Sequence, residues 1–311
     1  MADDGARDRQ LVVEAADAGR RLDAWLAQRL GVGRAAVRRL LETGAVREAG
    51  RALGRNEKSA PLVAGRTLEV AAFAPPDARR AIAQPELPLS VCAEGPGWIA
   101  LDKPAGTPVH PLREDETGTL LNALVARRPE LHGVGEGGLR SGVVHRLDVD
   151  TSGVMLFATD EPTWQRLRAA FRAHRVEKLY RALVSGRVEG EREVRASLVV
   201  ARHRPAYVRA VDEGTPGARR TSLRLRALAQ GRDATLVEVR PRTGFLHQIR
   251  ATLASLGHPL CGDRTYGPPA ERDPSGAHRH LLHAARVAVD EIEAESPDAP
   301  DFAEAVKRLV G

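Results

Sequence analysis

A polar segment set between two apolar runs constrains the fold more than any other part of this 311-residue chain. Residues 143–158 read VVHRLDVDTSGVMLFA, and both flanking runs are rich in β-branched side chains. Short runs of this kind, bounded by turn residues, predict two strands joined by a loop. Catalytic groups often lie on loops held by rigid strands, which makes Asp148 the candidate carboxylate. A structural ion pair between Arg146 and Asp148, followed by a simple turn, is the alternative interpretation.

The same segment resembles the signature of the RluA-type pseudouridine synthases, in the form HRLDxDTSG followed by an apolar strand. Enzymes of this family isomerise uridine in RNA to its C-glycoside. The resemblance implies that Asp148 is the catalytic residue. It also implies an α+β catalytic domain, with a mixed, mainly antiparallel sheet, flanking helices and a central cleft.

Two later segments resemble the same family. The strand-like KLYRALV at 178–184 corresponds to the family's active-site tyrosine motif, which implies that Tyr180 is catalytic. The segment TGFLHQIR at 243–250 corresponds to TGRTHQIR, whose last arginine pairs with the catalytic aspartate, and Arg250 occupies that position. Phe245-Leu246 replaces the usual Arg-Thr, which removes a charge near the expected RNA path.

A lysine-proline turn also resembles the family. It follows the apolar strand at 98–101 and reads DKPAGTP at 102–108. Its prolines and glycine fix the backbone, which favours a role in shaping the rim of the active site. Contact between Lys103 and an RNA phosphate is the alternative.

The N-terminal region resembles the S4 RNA-binding domain, with two short helices followed by short strands. Arg34, Arg38 and Arg39 lie on the second helix and are its candidate RNA contacts. We predict a polar lead-in at 1–18, an S4-like α/β domain at 19–74, a proline-rich linker at 75–90 and the catalytic domain at 91–311.

Composition agrees with a nucleic-acid partner but does not identify one. The net charge of +6 and the pI near 9.9 favour a polyanion, although arginine enrichment also has genomic causes. Two isolated cysteines suit a reducing compartment. The acidic start does not fit a secretion signal, and no apolar run is long enough for a membrane span. We therefore expect a cytoplasmic monomer that binds RNA, with large-subunit ribosomal RNA favoured and transfer RNA possible.

The expected reaction is redox-neutral, so no cofactor is predicted. The carboxylate could attack C1′, remove the C2′ proton or stabilise positive charge on the sugar, and the sequence does not choose among these roles. Further candidate RNA contacts flank the motifs: His145, Arg146, Lys178 and His247. His278, His280 and His283 invite a zinc interpretation, but no cysteine lies near them and we predict no metal site.

Two other functions compete with this prediction. Asp148 and Asp150 could be the acid and nucleophile of a glycosidase, although two carboxylates in one tight turn rarely face each other across a sugar. A non-catalytic RNA-binding or ribosome-assembly protein would need only basic surfaces. In that case Asp148, Tyr180 and Arg250 would not have to converge.

Overall fold

The computed structural model describes residues 7–32, 34–73, 79–273 and 275–311, without the side chains of Ala35 and Glu271. The chain divides into two compact units. The first ends at Arg80 and also takes in Gly137–Leu139, and the second contains the rest of the chain from Ala81. No helix in the described ranges is long and apolar enough to cross a membrane.

The first unit combines two short helices with a small antiparallel sheet of strand order β1-β4-β2-β3. Its elements are β1 (Arg9–Val12), α1 (Leu22–Leu30), α2 (Arg34–Glu42), β2 (Val46–Glu48), β3 (Arg51–Ala52) and β4 (Thr67–Val70). Leu22, Trp25 and Leu26 of α1 are fully buried, as their helical spacing predicts.

The predicted polar lead-in is wrong in its described part, because β1 lies within it. Arg9 pairs with Val70 and Val12 with Thr67 at the edge of the small sheet. Asp17 is also buried and accepts a hydrogen bond from the Trp25 indole at 2.7 Å. Polar composition concealed this strand because its side chains alternate between half-buried and exposed. Residues 1–6 lie outside the described residues.

The second unit is built on a ten-stranded sheet of order β10-β9-β11-β12-β8-β13-β7-β6-β5, with β14 paired to β13. Its strands are β5 (Ser90–Gly95), β6 (Trp98–Lys103), β7 (Ser152–Ala158), β8 (Glu177–Ser185), β9 (Glu191–His203), β10 (Ala206–Val211), β11 (Arg219–Gln230), β12 (Ala234–Pro241), β13 (Leu282–Val289) and β14 (Ile292–Glu295). Its helices are α3 (Leu120–Arg127), α4 (Glu161–Arg172), α5 (Gln248–Ser255) and α6 (Pro300–Val310). The α+β prediction, with a mixed and mainly antiparallel sheet, is confirmed.

Strand β7 is buried on both faces, which explains its uninterrupted apolar run. Met155 and Phe157 pack with α3 residues such as Leu121 on one face. Leu156 packs with Leu167 of α4 on the other face. The centre of the sheet is therefore enclosed between helices, which makes it a rigid base for the loop that precedes β7.

The sequence-predicted boundaries differ from the structure in two further places. Val143 forms only an isolated bridge with Phe157, so the run before the polar segment is not a full strand. The described end of the predicted linker packs into the second unit. Ala81 is buried there, and the backbone N–H of Gln84 donates a hydrogen bond to the backbone carbonyl of Asn122. Residues 75–78 of the linker lie outside the described residues.

Gly153 permits the closest strand approach at the centre of the sheet. β7 and β13 form the sheet's one parallel pair among the described strands, with Gly153 opposite Ala284. Gly153 has φ +114°, and a Cβ atom there would lie 2.2 Å from the Ala284 carbonyl oxygen. The glycine that ends the polar motif is therefore required by both backbone conformation and space.

We expect Gly153→Ala to lower the free energy of unfolding by about 3–5 kcal/mol, since backbone strain and a backbone clash coincide there. Gly190→Ala is the matched control, because Gly190 has φ +64° with no heavy atom near its missing Cβ. It should cost about 1–2 kcal/mol. Urea unfolding measures both changes, and equal losses would contradict the close approach at Gly153.

Candidate active site

The polar loop before β7 brings Asp148 against a buried arginine from α5. Arg250 donates from Nη1 to Asp148 Oδ2 at 2.9 Å, across 102 residues of sequence. The Asp148 side chain is 24% exposed and the Arg250 side chain 8%. The carboxylate therefore faces solvent while the guanidinium that orients it lies in the interior.

A second carboxylate fixes the arginine. Asp263 accepts from Arg250 Nε at 2.8 Å and from Nη2 at 2.9 Å, a bidentate arrangement. The Asp263 side chain is fully buried. Its Oδ1 also accepts the backbone amides of Thr265 and Tyr266, which shapes the turn after α5.

The electrostatics of this group favour full ionisation of Arg250 and Asp263. Burial opposes the charge of Arg250, but its contacts with Asp263 and Asp148 outweigh that effect and raise its pKa. Burial alone would raise the pKa of Asp263, but the hydrogen bond and charge of Arg250 lower it overall. The pair is thus a fixed, charged support beneath Asp148.

His247 adjoins the same carboxylate. It precedes α5 with φ +50°, a left-handed conformation that is uncommon for histidine and often occurs at functional sites. Its Nδ1 lies 2.9 Å from the Tyr266 hydroxyl and its Nε2 3.9 Å from Asp148 Oδ2. Burial lowers the pKa of His247, so the neutral ring is favoured at neutral pH.

Sheet register places Tyr180 near the motif. Tyr180 of β8 lies opposite Ala284 of β13, and Ala284 lies opposite Gly153 of β7. The tyrosine is therefore two strands, about 10 Å, from the end of the loop. Burial and the charge of Asp148 raise the pKa of Tyr180, so its phenol is neutral at physiological pH.

Lys103 anchors the loop from β6. Its side chain is fully buried, and Nζ donates to the carbonyls of Pro104, Thr107 and Val149 at 2.7–2.9 Å. Burial lowers its pKa to about 8. The alternative role in phosphate contact is therefore wrong, because all three donors of the ammonium face backbone oxygens.

The other side of the loop is held from the C-terminal segment of the chain. Arg279 donates to the Asp150 carbonyl at 3.0 Å and to Ser152 Oγ at 3.3 Å. It also forms a bidentate pair with Asp301 of α6. His280 Nε2 lies 2.8 Å from Thr151 Oγ1. Loop residues 149–152 are thus fixed by contacts from the end of β6 and from the segment that precedes β13.

His145, a predicted RNA contact, has an internal role. Its Nε2 accepts the backbone amide of Leu156 at 3.0 Å, and its ring stacks on Phe171 at 4.7 Å between centroids. Burial, with the charges of Lys178 and Arg168, lowers its pKa to about 3. The Nε2 atom of His145 is therefore engaged within the protein, and contact of this residue with RNA stays a prediction.

Neutral His145 makes stability fall in acid. The pKa of His145 in the folded state lies below its unfolded value near 6.5. Between these two pKa values the unfolded state binds a proton and the folded state does not, which favours unfolding. The associated stability should be lost as pH falls from about 6.5 toward 3, by about 1–2 kcal/mol at pH 5. Urea unfolding between pH 7 and 5 should show a shallower decline for His145→Gln, whose amide oxygen replaces Nε2. The exposed His203→Gln is the control; equal declines for both variants would contradict this assignment.

The other predicted RNA contacts differ in exposure. Arg146 is exposed next to the loop. Lys178 is half-buried and donates to the Thr243 carbonyl at 2.8 Å, which braces the segment before α5. Burial lowers its pKa to about 8. In the first unit, the described arginines on α2 are exposed: Arg34, Arg38 and Arg39.

Two of the histidines considered for zinc, His280 and His283, have other contacts. His283 Nδ1 lies 3.0 Å from Ser152 Oγ, and its Nε2 lies 3.2 Å from the Ser296 carbonyl oxygen. Within the described ranges, no three His, Cys, Asp or Glu side chains are grouped to hold a metal ion.

Sequence reasoning missed Asp263, Tyr266 and Arg279. The Gly262-Asp263 turn after α5 was a usable signal for the first, since a buried aspartate in such a turn needs a cationic partner. The other two had no comparable signal, because their contacts connect residues far apart in the sequence.

Residues 97–255 match the family described as RNA pseudouridylate synthase. An uncharacterized RNA pseudouridine synthase of Chloroflexus aurantiacus is 37% identical over 281 residues, covering 90% of this chain and 85% of that relative. Ribosomal large subunit pseudouridine synthase D of Zymomonas mobilis is 32% identical over 269 residues, covering 86% and 81%.

Solved structures agree. The human protein RNA pseudouridylate synthase domain containing 1 superposes with a TM-score of 0.56 at 25% identity, over 70% of this chain and 87% of that one. The mixed sheet therefore has the pseudouridine synthase fold. The chain belongs to the RluA-type family of RNA pseudouridine synthases, which makes it an isomerase.

Proposed function

We propose that this isomerase converts specific uridines of large-subunit ribosomal RNA to pseudouridine, with Asp148 as the catalytic carboxylate. The observation that carries the proposal is the partly exposed Asp148 carboxylate on a buried, doubly paired Arg250. The choice of RNA rests on relatives from Zymomonas mobilis, Nitrosomonas europaea and Neisseria meningitidis, which are named ribosomal large subunit pseudouridine synthase D.

The reaction breaks the N1–C1′ bond of uridine and forms a C5–C1′ bond. C5 loses one proton and N1 gains one, so atoms and electrons balance without a co-reactant. A carboxylate beside the sugar serves this chemistry as a nucleophile at C1′, as a base at C2′ or as a stabilising charge. Asp148 suits each role, because Arg250 holds one of its oxygens while the side chain remains partly open to solvent.

We assign separate tasks to Arg250 and Tyr180. Arg250 orients Asp148 and balances its charge, and Asp263 keeps the guanidinium in place. Tyr180 offers an aromatic face for the uracil and a neutral hydroxyl for hydrogen bonding. Because its pKa is raised, the phenol is a poor candidate for a phenolate base at neutral pH.

The target nucleotide must leave its stack to reach Asp148, at a cost of a few kcal/mol. Arg146 is exposed and lies two residues before Asp148. We propose that its side chain fills the space that the flipped nucleotide leaves in the stack. Arg146→Ala should reduce turnover on folded RNA about tenfold more than on an unstructured oligomer, in parallel single-turnover assays. Equal losses on both RNAs would contradict this role.

The first unit is proposed to be an S4-like RNA-binding domain. Its helix α2 presents the exposed Arg34, Arg38 and Arg39, and such arginines supply salt-dependent affinity for phosphates. The assignment takes in α1, α2 and the strands β2 to β4, and Gly33 lies outside the described residues.

A map of pseudouridines in cells lacking the gene tests the choice of RNA. We expect one or more positions in large-subunit ribosomal RNA to remain uridine. They should regain pseudouridine with the wild-type gene and not with a gene encoding Asp148→Asn. If pseudouridine is lost only from transfer RNA, transfer RNA and not ribosomal RNA is the substrate. An unchanged map together with a defect in ribosome assembly would support a non-catalytic RNA-binding protein.

A further inference from the structure

A cavity of about 510 Å³ lies beside the candidate active site, between the β9–β10 hairpin and the turn after α5. Its wall includes Arg202, Ala206 and Tyr207 from the hairpin and Arg264 and Thr265 from the turn. This volume lies within the range of about 300–1,000 Å³ that small-molecule sites occupy. None of the roles assigned to Asp148, Tyr180 or Arg250 uses it.

An aromatic pair connects this cavity to the catalytic carboxylate. Tyr207 stacks on Tyr266 with ring centroids 5.3 Å apart and an interplanar angle of 17°. The Arg250 Cζ lies 5.2 Å from the centre of the Tyr266 ring, and the Tyr266 hydroxyl contacts His247. A group that occupies the cavity is thus separated from the Asp148–Arg250 pair by the two stacked rings of Tyr207 and Tyr266.

The aromatic pair is held rigidly. The Tyr266 hydroxyl accepts the backbone amide of Val208 at 2.9 Å, which ties the turn to β10. Leu198 and Val208 are fully buried beneath it, and Phe245 packs against the same cluster. Phe245 is one of the two residues that replace the family's Arg-Thr, so the cluster behind the aromatic pair is apolar.

Two guanidinium groups flank the cavity. Arg202 and Arg264 are both exposed, and neither forms an ion pair with a residue in the described ranges. Arg202 donates from Nε to the Pro205 carbonyl at 3.0 Å, and its terminal nitrogens have no hydrogen-bond partner in the described ranges. A flat aromatic surface between unpaired guanidinium groups matches a nucleotide, whose base stacks and whose phosphate is anionic.

We propose that this cavity binds a nucleotide of the RNA strand adjacent to the modified uridine, with its base on Tyr207 and its phosphate at Arg202 and Arg264. The inference rests on the proposed function, because it takes the RNA in the active site as given. Stacking accepts any base, so the site would add affinity and position the strand without strict sequence selection.

The test compares full-length variants on an unmodified large-subunit ribosomal RNA transcript. Tyr207→Leu keeps apolar contact with Tyr266 but removes the aromatic face, and it should raise KM and the RNA dissociation constant about tenfold with little change in kcat. Tyr207→Phe should behave as wild type. Arg264→Ala should weaken binding and flatten its salt dependence. Arg232→Ala, at a side chain 95% exposed in the β11–β12 loop, is the matched charge control.

The outcomes separate this site from the proposed function. Wild-type turnover with unchanged KM and dissociation constant in Tyr207→Leu would overturn the nucleotide site alone. A second outcome is that the wild type binds the transcript but forms no pseudouridine, while Tyr207→Leu weakens this binding and Tyr207→Phe does not. That result would support the nucleotide site and overturn the proposed activity. Failure of the wild type to bind the transcript would overturn both. Thermal unfolding of each variant shows whether a loss of binding reflects a loss of fold.

Discussion

Replacing Asp148 by asparagine is expected to reduce pseudouridine formation by about 10⁴-fold or more, which is the upper end of the contribution of a single catalytic group. Asparagine is nearly isosteric with aspartate but cannot act as a nucleophile, a base or a balancing charge. Its oxygen still accepts a hydrogen bond from Arg250. Single-turnover rates on a large-subunit ribosomal RNA transcript measure the loss, and the RNA dissociation constant should stay within about threefold of wild type.

Asp150→Asn is the matched control for this experiment. Asp150 lies in the same loop with an exposed side chain, and the loop contact at this position comes from its backbone carbonyl. Asp150→Asn should therefore retain activity within about threefold. Comparable inactivation by both substitutions would favour a pair of catalytic carboxylates and would contradict a single catalytic aspartate.

Arg250→Met is expected to lower both the free energy of unfolding and the rate of catalysis. It leaves the fully buried Asp263 carboxylate with backbone amides alone, and breaking a buried ion pair costs about 3–5 kcal/mol. Turnover should fall by about 10²–10³-fold, since Asp148 loses its orienting partner. Urea unfolding and single-turnover kinetics on the same preparation give the two values.

A second substitution separates these two effects. Asp263→Asn removes the buried charge while its amide oxygen can still accept from Thr265 and Tyr266. The double variant that combines both substitutions should therefore be more stable than Arg250→Met alone by about 2 kcal/mol or more. Activity should not return. Additive losses of stability, or restored turnover, would contradict the account of Arg250 as a guanidinium held by Asp263 and directed at Asp148.

The sequence predicted the centre of the molecule better than its edges. Residues 143–158 singled out Asp148, and the apolar run that ends this segment forms β7. Helix α4 follows it, with Asp160 as the N-cap. Periodicity succeeded there because both faces of β7 are buried. Periodicity failed for β1, where the apolar face is only half-buried, and it left the long hairpin at residues 191–211 unassigned.

The supporting contacts of the site could not be predicted, because they depend on tertiary placement. Lys103 and His145 looked suited to RNA contact by charge, yet both face the interior and bond to backbone atoms. Asp263 and Arg279 lie more than 100 residues from the loop that they support, directly or through Arg250. Local sequence patterns carry no information on such pairings until the sheet order is known.

Incubating purified protein with an unmodified large-subunit ribosomal RNA transcript tests the central claim most directly. We predict that the wild type forms pseudouridine at specific positions, with no change in RNA mass and no released uracil. Asp148→Asn should form no pseudouridine. Released uracil would indicate a glycosidase. Wild-type levels of pseudouridine from Asp148→Asn would contradict the assignment of Asp148 as the catalytic carboxylate.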